Sequence, residues 1–228
     1  LSDELIFTEE DETFGTFVFK TKSKKFLVIG SYSTLTSEYR ILNADTPFED
    51  FKIFQPRVRG LEYSISHYDD SFYVLTNMDG ASNFKLMKTS DDTTLMDNWE
   101  EMIAHREDVL LEDIDIFKDY YVISERSNGL NRIKVVKWDG TGSYYLPFDN
   151  ETYTANAGTN VDFDTEIFSV EGEDLKKFIF QNFELSEKVL KFLFIGGENT
   201  GKTWTLNLIK NFYKQKDKSE FECKPTTR

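Results

Sequence analysis

Between residues 105 and 140 the chain reads HREDVLLEDIDIFKDYYVISERSNGLNRIKVVKWDG, and its apolar positions recur every second residue. Glu112 to Phe117 alternates acidic with apolar side chains, Tyr120 to Ser124 is an aromatic and β-branched run, and Arg132 to Trp138 alternates basic with apolar. Period-two alternation of this kind predicts three strands. The breaks are Lys118 with Asp119, Ser127 with Asn128 and Gly129, and Asp139 with Gly140, all residue types that reverse a chain tightly. A fourth strand, Ser143 to Phe148, follows at once. Four short antiparallel strands in succession form one compact sheet that cannot bury both of its faces alone.

The pattern recurs. Aligned on the aromatic start of the second strand, Phe26 (FLVIGS), Phe72 (FYVLTN) and Tyr120 (YYVISE) are spaced by 46 and 48 residues. The third strands keep step, opening at Glu38 (EYRIL), Asn83 (NFKLM) and Asn131 (NRIKVV). The fourth position is filled by Phe51 to Phe54 in the first unit and by Tyr144 to Phe148 in the third, with an insertion interrupting the second. Tandem four-stranded units of this length are the signature of β-propeller blades. A β-sandwich or an open meander is the alternative, and the repeat favours the propeller.

The expected fold is therefore all-β: a partial β-propeller of about three and a half blades, at about residues 10–55, 60–104, 110–150 and, in part, 151–168. Residues 1–9 read as the closing strand of an earlier unit, which with Leu1 in place of a methionine suits a fragment. The insertion SDDTTLMDNWEEMI predicts a short helix capped by Asp97 or Asn98 and carrying Trp99 and Met102. Beyond Phe168 the chain turns Lys-rich and amphipathic, so a domain boundary is placed near residue 169, with 169–228 a divergent α/β-like tail.

Charge narrows the partners. With 27 basic against 41 acidic side chains, the formal charge is −14. Neutralising phosphates requires an excess of Lys and Arg, which argues against nucleic acid or an anionic membrane and is compatible with basic peptides. There is no apolar run long enough to span a bilayer and no charged-then-apolar leader. Cys223 is the one cysteine, so no internal disulfide is possible. A reducing compartment is expected: the cytoplasm, with the periplasm left open.

The visible chemistry is sparse. No G-x-S-x-G nucleophile elbow occurs, and neither His67 nor His105 has a Ser or Cys at a recognisable elbow, so no catalytic residue is assigned and both histidines read as structural. No Cys/His metal spacing or EF-hand loop is present, so no metal or cofactor is expected. The tetrad His105, Arg106, Glu107 and Asp108 reads either as a salt-bridged anchor or, preferentially, as a solvated connector. One motif stands out: residues 196–203 satisfy G-x-x-x-x-G-K-[ST], between an apolar strand-like segment, Lys191 to Ile195, and a helical pattern. In a working phosphate site Gly196 and Gly201 shape the loop, Lys202 meets the terminal phosphates and Thr203 holds magnesium. Only 25 residues follow Thr203, too few for the further strands such a site needs, so nucleotide binding is an alternative reading only.

Long runs carry a resemblance: FKTKSKKFLVIGSYSTLTSEYRIL, EYSISHYDDSFYVLTNMDGASNFKLMKT, NWEEMIAHREDVLLEDIDIFKDYYVISERSNGLNRIKVVKWDG and YYLPFDNETYTANAGTNVDFDTEI. Over about residues 5–168, roughly seven tenths of the chain, the sequence resembles the propeller domain of the oligopeptidase B group in the prolyl oligopeptidase family of serine peptidases. The resemblance implies a propeller seated over an α/β-hydrolase domain that carries a Ser, Asp and His triad and cleaves short peptides after Arg or Lys. The propeller's implied part is to restrict entry to oligopeptides. No position here matches the family's triad or the carboxylates that hold the basic side chain. The implied partners are thus basic oligopeptides and an absent hydrolase domain, and the chain alone is expected to be inactive. A stand-alone interaction module built on the propeller face is the further alternative.

Overall fold

The computed structural model describes residues 4–148, 153–165 and 167–173, with the short strand segments 184–185, 188–189 and 191–195. Three four-stranded antiparallel sheets follow one another in chain order. The first comprises β1 (Gly15–Lys20), β2 (Phe26–Tyr32), β3 (Ser37–Asn43) and β4 (Lys52–Ile53). The second comprises β5 (Tyr63–Tyr68), β6 (Ser71–Thr76), β7 (Lys85–Ser90) and β8 (Glu100–Ile103), and the third β9 (Val109–Ile116), β10 (Tyr120–Ser127), β11 (Leu130–Lys137) and β12 (Ser143–Tyr145). A fourth sheet pairs β13 (Thr154–Ala157) antiparallel to β14 (Ile167–Glu173). A two-stranded ladder of β15 (Glu184–Leu185) and β16 (Lys188–Val189) follows, and β17 (Lys191–Ile195) then joins β14 in parallel.

Alternation along each central strand sends its side chains to two different interfaces, as a stack of sheets requires. In β6, Phe72 and Val74 face the first sheet, where they meet Phe26, Val28, Tyr39, Ile41 and Phe54. Tyr73 and Leu75, one residue out of phase, face Leu111, Ile114, Ile116, Tyr121 and Ile123 of the third sheet. In β10 the phase repeats: Tyr121 and Ile123 look back, while Tyr120 and Val122 look forward to Ala155, Phe168 and Val170 of the fourth sheet. Each sheet thus lends one face to each neighbour, the packing of propeller blades.

Local sequence sets the hairpins. Between β10 and β11, Asn128 (φ 51°) and Gly129 (φ 77°) are both left-handed, the turn whose twist matches that of the paired strands. Within β2, Gly30 lies under the ring of Phe17 on β1, where a Cβ would collide with that ring.

Two expectations are corrected. Residues 4–9 form no strand; Leu5 and Ile6 stand 80% and 67% exposed, while the Phe7 ring lies against Arg40 of β3 and Glu9 pairs with Arg57 in the connector after β4. The second sheet is not interrupted, because its supposed insertion contains its fourth strand. Met96–Asn98 makes a single 3-10 turn with no side-chain cap, and Glu100–Ile103 is β8 rather than helix. The reason is Trp99: its ring is buried against Phe54 and Tyr63, its indole N–H donates to the Thr94 carbonyl at 2.8 Å, and a one-residue bulge at Leu86/Met87 absorbs the offset. Residue 169, near which the sequence changes character, lies within β14, between Phe168 and Val170, which are both fully buried.

Candidate functional site at the inner ends of the sheets

The first strands of three sheets end around one cavity of about 320 Å³. Its wall is residues 19–22 at the end of β1, residues 65–67 of β5, Asp115 and Ile116 of β9, and Val161. Both hydrophobic and charged groups line it, because at this end the alternation of β9 places Ile114 and Ile116 in the core and leaves Asp113 and Asp115 on the opposite face. A bulge at Glu112, opposite Ser124 and Glu125, puts Leu111 on the same side as Ile114.

The electrostatics centre on Lys22. Its ammonium is bonded to Asp115 and lies 3.8 Å from the centroid of the Phe117 ring. Burial lowers the pKa of Lys22, an effect that Asp115 and then Asp113 oppose. Burial likewise raises Asp115, with Lys22 pulling it back. Asp113 remains open to solvent though protein surrounds it on most sides, and lost hydration pushes its carboxyl up as well.

His67, one of the two histidines singled out in the sequence, lines the cavity and is itself 2% exposed. The fold brings it a serine and an aspartate that sequence spacing concealed. Ser23 Oγ is 2.8 Å from Nδ1, and Asp91 Oδ2 is 3.6 Å from Nε2. This is not an activated nucleophile. Asp91 is beyond hydrogen-bonding reach of the ring and is held instead by Lys25 at 2.7 Å, while the imidazole is wedged edge-on between Phe26 and Phe72. Burial, followed by the charge of Lys25, lowers the His67 pKa and keeps the ring neutral. The group ties the first sheet to the second.

The tetrad at 105–108 departs from its preferred reading as a solvated connector. Arg106 binds Glu125 at 2.6 Å, and Glu125, 1% exposed, also accepts from the Tyr145 hydroxyl at 2.7 Å and faces Arg132 at 3.6 Å. Asn83 clamps the same connector through the Arg106 and Glu107 carbonyls at 3.0 and 2.8 Å. The segment is a salt-bridged anchor between the second and third sheets. Among the described residues, no group of three or more His, Cys, Asp or Glu side chains is placed to hold a metal ion. The phosphate-loop motif, with Gly196, Gly201, Lys202 and Thr203, lies outside the described residues.

Successive four-stranded sheets, each buried against the next, with their first strands turned to a shared cavity, define part of a β-propeller. The chain belongs to the family described as the prolyl oligopeptidase N-terminal β-propeller domain, whose model matches residues 1–195, past the change of character near 169. It is 35% identical over 164 residues to a dipeptidyl aminopeptidase BI of Pseudoxanthomonas mexicana, an alignment covering 72% of this chain and 22% of that protein. It is 33% identical over 175 residues to protease 2 of Moraxella lacunata, covering 76% and 24%. Among solved structures, oligopeptidase B from Leishmania major superposes with a TM-score of 0.69 at 25% identity, over 74% of this chain and 25% of that one. The antipain-bound closed form of oligopeptidase B from Trypanosoma brucei gives 0.69 at 26% identity. The chain spans about a quarter of the length of these relatives.

Proposed function

We propose that this chain is the entry-controlling propeller of a serine oligopeptidase, acting with an α/β-hydrolase domain that supplies the Ser, Asp and His. Its substrates are short peptides carrying Arg or Lys, and its compartment is the cytoplasm. Supporting this reading is the cavity between the first strands of three sheets, walled in part by Asp115, with Asp113 two residues away on the same face of β9, in a chain whose formal charge is −14. Carboxylates in a narrow, partly desolvated space concentrate cations and repel anions, which suits a passage for basic peptides.

Fluorescence anisotropy of a labelled arginine-containing hexapeptide, set against its glutamate counterpart, tests the proposal on the chain itself. The arginine peptide is expected to bind, with affinity falling as salt rises, and the glutamate peptide to bind far more weakly. Equal binding of both peptides, or none of either, would overturn the reading. The chain alone is expected to leave an Arg-based fluorogenic peptide intact; hydrolysis sensitive to a serine reagent would contradict the assignment of the chemistry to another domain.

A further inference from the structure

Lys22 and Asp115 belong to sheets that are not neighbours. Lys22 lies in the turn after β1 of the first sheet and Asp115 in β9 of the third, 93 residues apart in sequence, while β5 of the second sheet supplies Ile65, Ser66 and His67 to the wall between them. The pair of Lys25 with Asp70 and Asp91, by contrast, joins adjacent sheets. Lys22 and Asp115 therefore tie two walls of the cavity directly to each other past the edge of the third.

We propose that this ion pair is a clasp on the cavity, closed by Lys22 and opened when the basic side chain of an incoming peptide takes its place. The inference rests on reading the propeller as a filter for basic peptides and names the residues that set the filter. The groups that hold the Lys22 ammonium are a carboxylate, a second carboxylate nearby at Asp113, and the face of Phe117. That set recognises a primary ammonium or guanidinium from any source. Lys22 and Asp115 are 18% and 24% exposed, so each has given up most of its hydration and their attraction offsets that loss only in part. Two apolar side chains would serve stability as well. What the ion pair adds is exchangeability: a guest cation can replace Lys22 without leaving Asp115 unpaired.

The test uses the whole chain with its single thiol removed by Cys223→Ser and a reporter placed on the wall by Ser66→Cys. The readout is the rate of modification by an uncharged methanethiosulfonate. Lys22→Met and Asp115→Asn are each expected to raise that rate by about tenfold, as is the double change Lys22→Met/Asp115→Leu, which keeps the packing while removing both charges. N-acetyl-lysine amide is expected to accelerate labelling when Lys22 is present and to have no effect once it is Met. Equal rates in all chains, including the double variant, would overturn the clasp; acceleration by the amide that persists without Lys22 would overturn the exchange. Because the assay uses neither peptide binding nor hydrolysis, it separates the two readings. Unchanged rates sink the clasp alone, and a working clasp in a chain that fails to prefer the arginine peptide sinks the filter alone.

Discussion

Glu125 shows how much one buried carboxylate organises. Residue 125 sits on a central strand, and three partners from separate segments converge on it: Arg106, Arg132 and Tyr145. Removing it leaves two guanidinium groups without their shared carboxylate and the Tyr145 hydroxyl without its acceptor. Glu125→Ala is therefore expected to destabilise the chain by about 3 kcal/mol in urea denaturation, a value reduced from that of a fully buried pair because both arginines are about one-third exposed. A loss below about 1 kcal/mol would contradict this role. His67 gives a pH signature. Burial holds its pKa below the ordinary 6.5, so the unfolded chain takes up a proton that the folded chain resists. Its contribution is present above pH 6.5 and is lost as pH falls from there toward the depressed folded value. The thermal midpoint of the parent minus that of His67→Gln is expected to shrink from pH 7.5 to about pH 5.5. A difference independent of pH would show that the ring's burial is not linked to its protonation. Asp113 and Asp115, raised by burial, act with the opposite sign, but they are common to both chains and cancel in the comparison.

At the level of elements, the strands with strict alternation were legible in the sequence. The aromatic openings at Phe26, Phe72 and Tyr120 fall on β2, β6 and β10, because an aromatic followed by β-branched residues suits a strand buried on both faces. The strand β8 was not legible. Glu100 to Ile103 is short, acidic and nearly all exposed, so nothing in its pattern marks a buried face, and Asp97 and Asn98 mimic a helix cap. Its position is dictated by Trp99, a tertiary contact. Trp99→Ala is accordingly expected to cost about 3 to 5 kcal/mol and to raise amide exchange along β7 and β8 more than along β9 to β11. Uniform acceleration across all three sheets would show that Trp99 supports the whole stack instead. The site was hidden for a similar reason. Ser23 comes from the first sheet and His67 and Asp91 from separate strands of the second, while Lys22 and Asp115 come from the first and third, and no local spacing records which turns meet.

For the whole molecule, the repeat in sequence becomes a stack in space in which every sheet is a neighbour's core. Among the described residues, three apolar interfaces hold it: one between the first two sheets around Phe54 and Phe72, one around Leu86 and Tyr121, and one around Phe117 and Phe168. Aromatic rings supply much of each, with Trp138 stacked on Tyr68 at 4.2 Å and bonded to the Phe117 carbonyl at 2.8 Å across the later two. This arrangement brings the inner ends of non-adjacent sheets to one cavity, on which the proposed function depends. The most direct measurement is cross-linking of the Lys22→Cys/Asp115→Cys chain, in a Cys223→Ser background, by a short bis-maleimide, with intramolecular product quantified by mass spectrometry. The account expects rapid cross-linking between positions 22 and 115, abolished by denaturant, and little between position 22 and an exposed outer-turn control, Thr141→Cys. Cross-linking of positions 22 and 115 no faster than that control, in a chain that retains its β-sheet signal, would contradict the convergence of the sheets on a common cavity.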